Sequence, residues 1–224
     1  MDRRWVRRRG AAGATVLMYH AVSDPENREW LDPRYSISAE LFERQVSFPA
    51  RHRRPVSLSE LVMLVRDGVT PPAGTVAITF DDGYLDTLRV AGPILQRYGL
   101  PASVFVVSGW VGQNRAPWID RLYSSINNRQ ACEIHVEGRK LRMLSRRAEL
   151  EAYHYLARRL LTAHHTDRER LLNDVCMQLE PRVSCPRLLM NWDEVGSWLA
   201  LGAGFEVGVH SKTHTDFTRL GEEE

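Results

Sequence analysis

Two short stretches carry side chains whose types and spacing could do chemistry. Thr79-Phe80-Asp81-Asp82-Gly83 sets two adjacent carboxylates at the end of an apolar run. Neighbouring carboxylates repel one another and lose hydration, so the pair needs a partner such as a cation. Gly83 permits a sharp turn that would bring both side chains toward one pocket. The second stretch, His210-Ser211-Lys212-Thr213-His214, places two histidines at i and i+4. On a helical turn these share one face, a spacing that suits two ligands of one metal. Asp82, His210 and His214 together supply three protein ligands and leave positions open for water and substrate. That is the arrangement of a catalytic site and not of a closed structural one. Either stretch alone fits a plain turn or a chance pair. The combination is specific because both follow apolar runs of one expected parallel sheet.

The elements that must position these residues read as mixed α/β. Short apolar runs at 14–19, 74–80, 102–107 and 204–209 suit buried strands, with a further short strand at 55–58. Residues 23–36 hold two prolines and read as a loop. Ser38 is placed to cap a helix whose apolar face is Leu41, Phe42 and Val46. Helices are expected at 59–66, 86–98 and 192–201. Strand, helix, strand at the spacing of 74–107 is a βαβ unit, which makes the sheet parallel. Residues 108–189 break the rhythm. They read as a mainly helical insertion with helices at 118–126, 148–164 and 168–179 and a small hairpin at 132–143.

Composition narrows the function classes. The chain has 30 basic and 28 acidic side chains among 224 residues, a formal net charge of +2. A dedicated nucleic-acid binder carries a stronger basic excess. A hydrophobic content of 43% is ordinary for a soluble globular domain. No stretch approaches the ~18 uninterrupted apolar residues of a membrane span. Cys132, Cys176 and Cys185 are odd in number and form no CxxC pair, so neither a disulfide framework nor a thiolate zinc site is indicated. A reduced, cytoplasmic setting is expected, with cell-envelope association as the alternative. Residues 1–13 form a basic tail rich in arginine. It lacks the apolar segment of a signal peptide, though it could make peripheral contact with an anionic membrane surface.

Ile78-Thr79-Phe80-Asp81-Asp82-Gly83 resembles the first motif of the polysaccharide deacetylases, the NodB-homology group or carbohydrate esterase family 4. His210-Ser211-Lys212-Thr213-His214 resembles the second. Leu17-Met18-Tyr19-His20 and Asn191-Trp192-Asp193-Glu194-Val195 are similar to stretches of bacterial members. The resemblance covers 16 to about 107 and 189 to the end; the insertion carries no motif of use. It implies an α/β fold, an incomplete distorted (β/α) barrel, for the domain at 14–224. The implied activity is metal-dependent hydrolysis of N-acetyl, or O-acetyl, groups on a polysaccharide or oligosaccharide. Asp81 would be the base that activates a water held by the metal. Asp82, His210 and His214 would ligate one divalent ion, zinc ahead of cobalt or nickel. The implied partner is an acetylated saccharide; oligomeric state stays open. The family's general acid, and an arginine that pairs with its base, belong to later motifs that would fall beyond residue 224. The domain is therefore expected to be C-terminally incomplete. Two other readings remain: a deacylase of a non-sugar amide or imide on the same fold, and a non-catalytic remnant that binds metal or saccharide.

His20, Tyr84, Ser211 and Thr213 are candidates for contacting substrate or steadying the ligands. Trp110, Trp118 and Trp192 could stack on sugar rings, but packing in the core or in a lid is the stronger expectation.

Overall fold

The computed structural model describes residues 13–23, 29–215 and 218. Residues 1–12 of the basic tail and the acidic stretch after Thr218 lie outside the described residues, so the membrane contact expected of that tail does too.

Five strands make one parallel sheet: β1 (Ala14–Tyr19), β4 (Arg54–Pro55), β5 (Thr75–Phe80), β6 (Ala102–Val106) and β9 (Phe205–Val209). The order is β1-β5-β6-β9, and β4 also pairs with β5. β4 meets β5 at Thr75 and Val76, whereas β6 meets it at Thr79 and Phe80. All six residues of β5 are buried, as a central parallel strand covered on both faces requires. Among the described residues the sheet stays open at β1 and β9, where Met18 and Val209 are exposed. The α/β class and the parallel sheet thus agree with the sequence.

Helices α1 (Ala39–His52), α2 (Leu58–Arg66) and α7 (Trp192–Leu199) belong to this framework. Ser38 Oγ accepts from the Leu41 N–H and starts α1. Phe42, Val46 and Pro49, at i, i+4 and i+7, turn that helix onto the sheet. The strand expected at 55–58 ends at Pro55, because Ser57 caps α2 by accepting from the Glu60 N–H. The single helix expected at 86–98 is instead a π-turn (Thr87–Ala91) leading into α3 (Gly92–Tyr98). Pro93 has no N–H to give the Arg89 carbonyl, which opens the ladder at that point. Asn191 and Glu194 form a reciprocal capping box at the start of α7.

Residues 108–189 hold α4 (Trp118–Asn127), a hairpin of β7 (Glu133–Val136) and β8 (Arg139–Arg142), α5 (Arg146–Thr162) and α6 (His165–Leu179). A short parallel pair, β2 (Ala21–Ser23) and β3 (Ser36–Ser38), completes the described strands. Two large apolar clusters result. One lies between the sheet and α1, α3 and α7, around Phe42, Phe80, Leu95 and Trp198. The other unites α4, the hairpin, α5 and α6, and takes in Ala21, Leu31, Tyr84 and Val107 from outside them. The three cysteines are unpaired. No helix among the described residues is long and apolar enough to cross a membrane.

Candidate metal centre and cleft

Asp81 and Asp82 follow the last residue of β5, and His210 follows the last residue of β9. Both sit at C-terminal ends of parallel strands, where α/β folds collect chemistry. The His210 N–H bonds the Val106 carbonyl at 2.8 Å and the Asp81 N–H bonds the Tyr19 carbonyl at 2.9 Å, which ties each motif to its neighbouring strand. Asp82, His210 and His214 each offer one ligand atom, and these atoms lie within 4.8 Å of one another. Asp82 Oδ1 is 3.2 Å from His214 Nε2 and 3.7 Å from His210 Nε2.

The backbone reaches this arrangement by an unexpected route. Residues 210–214 are not a turn of helix; they form an irregular loop. The i, i+4 face-sharing argument therefore does not apply. The histidines converge because Ser211 (φ 63°) and His214 (φ 53°) adopt left-handed conformations. Asp82 (φ 71°) does the same, followed by Gly83 (φ 81°). Left-handed backbone at a non-glycine residue costs of order 1–3 kcal/mol and clusters at functional sites. Gly83 is required on a second ground, since a Cβ there would lie 2.9 Å from Val106 Cγ1.

The environment differs between the two aspartates. Asp82 is buried, and its Oδ1 has no hydrogen-bond partner. Asp81 is half-buried. Burial pushes its carboxyl above the usual range, while His210 and His20 pull it down and Asp82 raises it.

A cleft of about 420 Å³ opens beside the centre. Its lining includes His20, Tyr84 and Trp118 as well as Asp82 and His214. The His20 ring lies against Tyr35, with centroids 5.4 Å apart. The Tyr84 hydroxyl turns away from the centre and donates to Asp120 at 2.7 Å. Ser211 Oγ accepts from the His214 N–H at 2.9 Å, and Thr213 Oγ1 pairs with Thr215 Oγ1. Both hydroxyls thus brace the loop. Trp110 stacks on the His214 ring at 5.4 Å and 24°, and it and Trp118 are buried cleft walls. Trp192 departs from the packing expected of it: it is 59% exposed, as the first residue of α7 on that helix's outer side.

Several contributors were invisible in the sequence because they come from the 108–189 segment, which carries no motif. His154, Ala157, Arg158 and Leu161 recur at i, i+3, i+4 and i+7 of α5 and form one side of the cleft. Arg168 on α6 donates to the carbonyls of Thr213 and His214. No local motif announces such contacts, since they join residues some 45 positions apart.

The family model described as polysaccharide deacetylase matches residues 68–224, which takes in both motifs and the insertion. The chain belongs to that family. YxkH of Bacillus subtilis strain 168, provisionally named a polysaccharide deacetylase, is 26% identical over 109 residues, 48% of this chain and 37% of that protein. The poly-beta-1,6-N-acetyl-D-glucosamine N-deacetylase of Staphylococcus aureus strain MSSA476 is 32% identical over 89 residues, 39% of this chain and 30% of that one. The matches thus span about a third of the length of these relatives. Among solved structures, IcaB from Ammonifex degensii aligns at 19% identity over 89% of this chain and 91% of that one, with a TM-score of 0.41.

Proposed function

We propose that this chain is a metal-dependent hydrolase that removes N-acetyl groups from a polysaccharide or oligosaccharide, with Asp81 as its base. The observation that carries the reading is the convergence of Asp82, His210 and His214 at two strand ends beside a half-buried Asp81 and an open cleft. The donor set fits a divalent ion. A buried carboxylate oxygen without a hydrogen bond faces two imidazole nitrogens, and that N/O chemistry suits zinc, cobalt or nickel. A divalent ion so held supplies Lewis-acid polarisation of an acyl oxygen and lowers the pKa of water from 15.7 toward ~7.

The division of labour follows from burial. Asp82 would hold the ion through its inward oxygen. Asp81 is the carboxylate left to accept a proton, and burial makes it more basic than an exposed aspartate. Trp110, held flat against His214, fixes the ring plane of a ligand. The aromatic walls and the α5 face offer the mix of apolar surface and polar groups that saccharide rings need. The Staphylococcus aureus relative is named for a β-1,6-linked N-acetylglucosamine polymer, which supports an N-acetylhexosamine saccharide as the substrate class here.

Acetate release from N-acetylglucosamine oligosaccharides tests the reading. Chelation should abolish release, and zinc or cobalt should restore it. Release that survives both chelation and the His210→Ala, His214→Ala double substitution would overturn it. Release from simple N-acetyl amides but not from saccharides would transfer the activity to non-sugar substrates.

A further inference from the structure

The loop that carries both histidines is fastened at four consecutive carbonyls. The Ser108 N–H donates to Ser211 O and the Gly109 N–H to Lys212 O, each at 3.0 Å. The next two carbonyls are met by one side chain from the insertion. Arg168 Nη2 donates to Thr213 O at 2.6 Å and Nη1 to His214 O at 3.2 Å. Backbone just past the end of β6 therefore holds the first half of the loop, and α6 holds the half that bears His214.

Arg168 is an unusual residue to bury. It is 1% exposed, with its guanidinium over the face of Trp118 at 5.7 Å. Desolvating a guanidinium is costly unless its donors are used. Apolar packing alone would be served better by leucine or methionine at this position, as at Leu172, Val175 and Leu179 on the same helix. What a guanidinium adds is a planar fork that can grip two adjacent carbonyls at once. The loop needs such a grip, because Ser211 and His214 are held in left-handed backbone that an unrestrained chain would leave.

We infer that Arg168 is a positioning residue that locks the 210–214 loop in its ligating conformation, which makes the insertion part of the metal centre. This rests on the proposal that Asp82, His210 and His214 hold a divalent ion. Groups that orient ligands from behind typically change metal affinity by ~10–100-fold when removed. Trp110 restrains the His214 ring from one side, and Arg168 restrains its backbone.

The test is cobalt(II) titration of the metal-free protein, followed by calorimetry and by the visible ligand-field spectrum, with a thermal melt of each metal-free variant. Arg168→Met keeps length and apolar bulk but releases both carbonyls. It should weaken cobalt binding by ~10–100-fold and alter the spectrum while still melting cooperatively. Cooperative melting with wild-type affinity and spectrum would overturn the inference. Should the methionine variant not melt cooperatively, Arg168→Gln decides: one amide donor remains, so a smaller loss of affinity is expected, and wild-type affinity overturns. His214→Ala separates the two readings. If it abolishes cobalt binding while the Arg168 variants bind normally, only the inference falls. If wild-type protein binds no cobalt, or binds it as well without His214, the metal centre itself falls and the inference with it.

Discussion

Asp81 and Asp82 are chemically identical neighbours in different surroundings, and the proposed function gives them different work on that ground. The left-handed backbone of Asp82 turns its carboxylate inward to the two imidazoles, while Asp81 stays half-buried at the strand end. Asp82→Asn should therefore lose metal and activity together. Asp81→Asn should retain the metal and lose turnover by ~10²–10⁴-fold, the usual worth of a general base. Metal content after dialysis, measured beside acetate release, checks both. Equal loss of metal in the two variants would make Asp81 a ligand and refute the division. These residues were legible in the sequence because type and adjacency suffice to mark them. The route by which the histidines converge was not. Their i, i+4 spacing suggests helix, and only the φ angles of Ser211 and His214 reveal the loop. Backbone conformation at a serine or histidine leaves no trace in residue type, unlike a glycine.

Among the elements, those set by local rules were readable. β5 is a β-branched, mostly apolar run buried along its whole length, and α7 opens with a complete capping box. The π-turn before Pro93 and the early start of α2 at Leu58, capped by Ser57, turn on single residues that compete with the wider pattern. Less readable was the close approach of β6's continuation to the histidine loop. Gly109 passes so near that loop that a Cβ on it would lie 2.4 Å from the Lys212 carbonyl oxygen. Backbone cannot yield cheaply there, because the Gly109 N–H bonds that same oxygen. Gly109→Ala should displace the loop, weaken metal binding at least ~10-fold, and destabilise the protein by about 1–3 kcal/mol, as overpacking does. Cobalt titration and denaturant melts read the two effects. A variant with unaltered affinity would show that the ligands do not depend on the loop's seat.

Across the whole molecule, the 108–189 segment is joined to the rest of the chain by buried polar contacts as well as by a shared apolar cluster. Asp32 accepts from two guanidinium nitrogens of Arg34 and from the Tyr153 hydroxyl of α5. Arg168 reaches the histidine loop, and Asp120 of α4 accepts from Tyr84 just after the end of β5. Such pairings depend on where helices dock, so none could be read from sequence. Asp120 gives this junction a pH dependence. It is fully buried, and desolvation pushes its carboxyl up to about 7, although the hydrogen bonds from Tyr84 and from the Asp32 backbone pull it down. An unfolded chain releases that proton near pH ~3.9, whereas the folded protein keeps it to about pH 7. Between these values folding retains a proton that the unfolded state has lost. Stability from this group is thus complete below about pH 4 and is lost as pH rises through about 7. The slope is at most ~1.36 kcal/mol per pH unit, one proton's worth. Asp32 and Glu194, whose carboxyls are held low, have ionised in both states well before pH 6 and add no slope there. Asp120→Asn keeps the shape and still accepts from Tyr84, but it carries no charge at any pH. Denaturant melts of the metal-free protein from pH 5 to pH 8 should show wild-type stability falling relative to the asparagine variant, with the difference levelling off above about pH 7. Parallel curves across that range would mean that Asp120 is ionised in the folded protein and that the junction holds a buried charge after all.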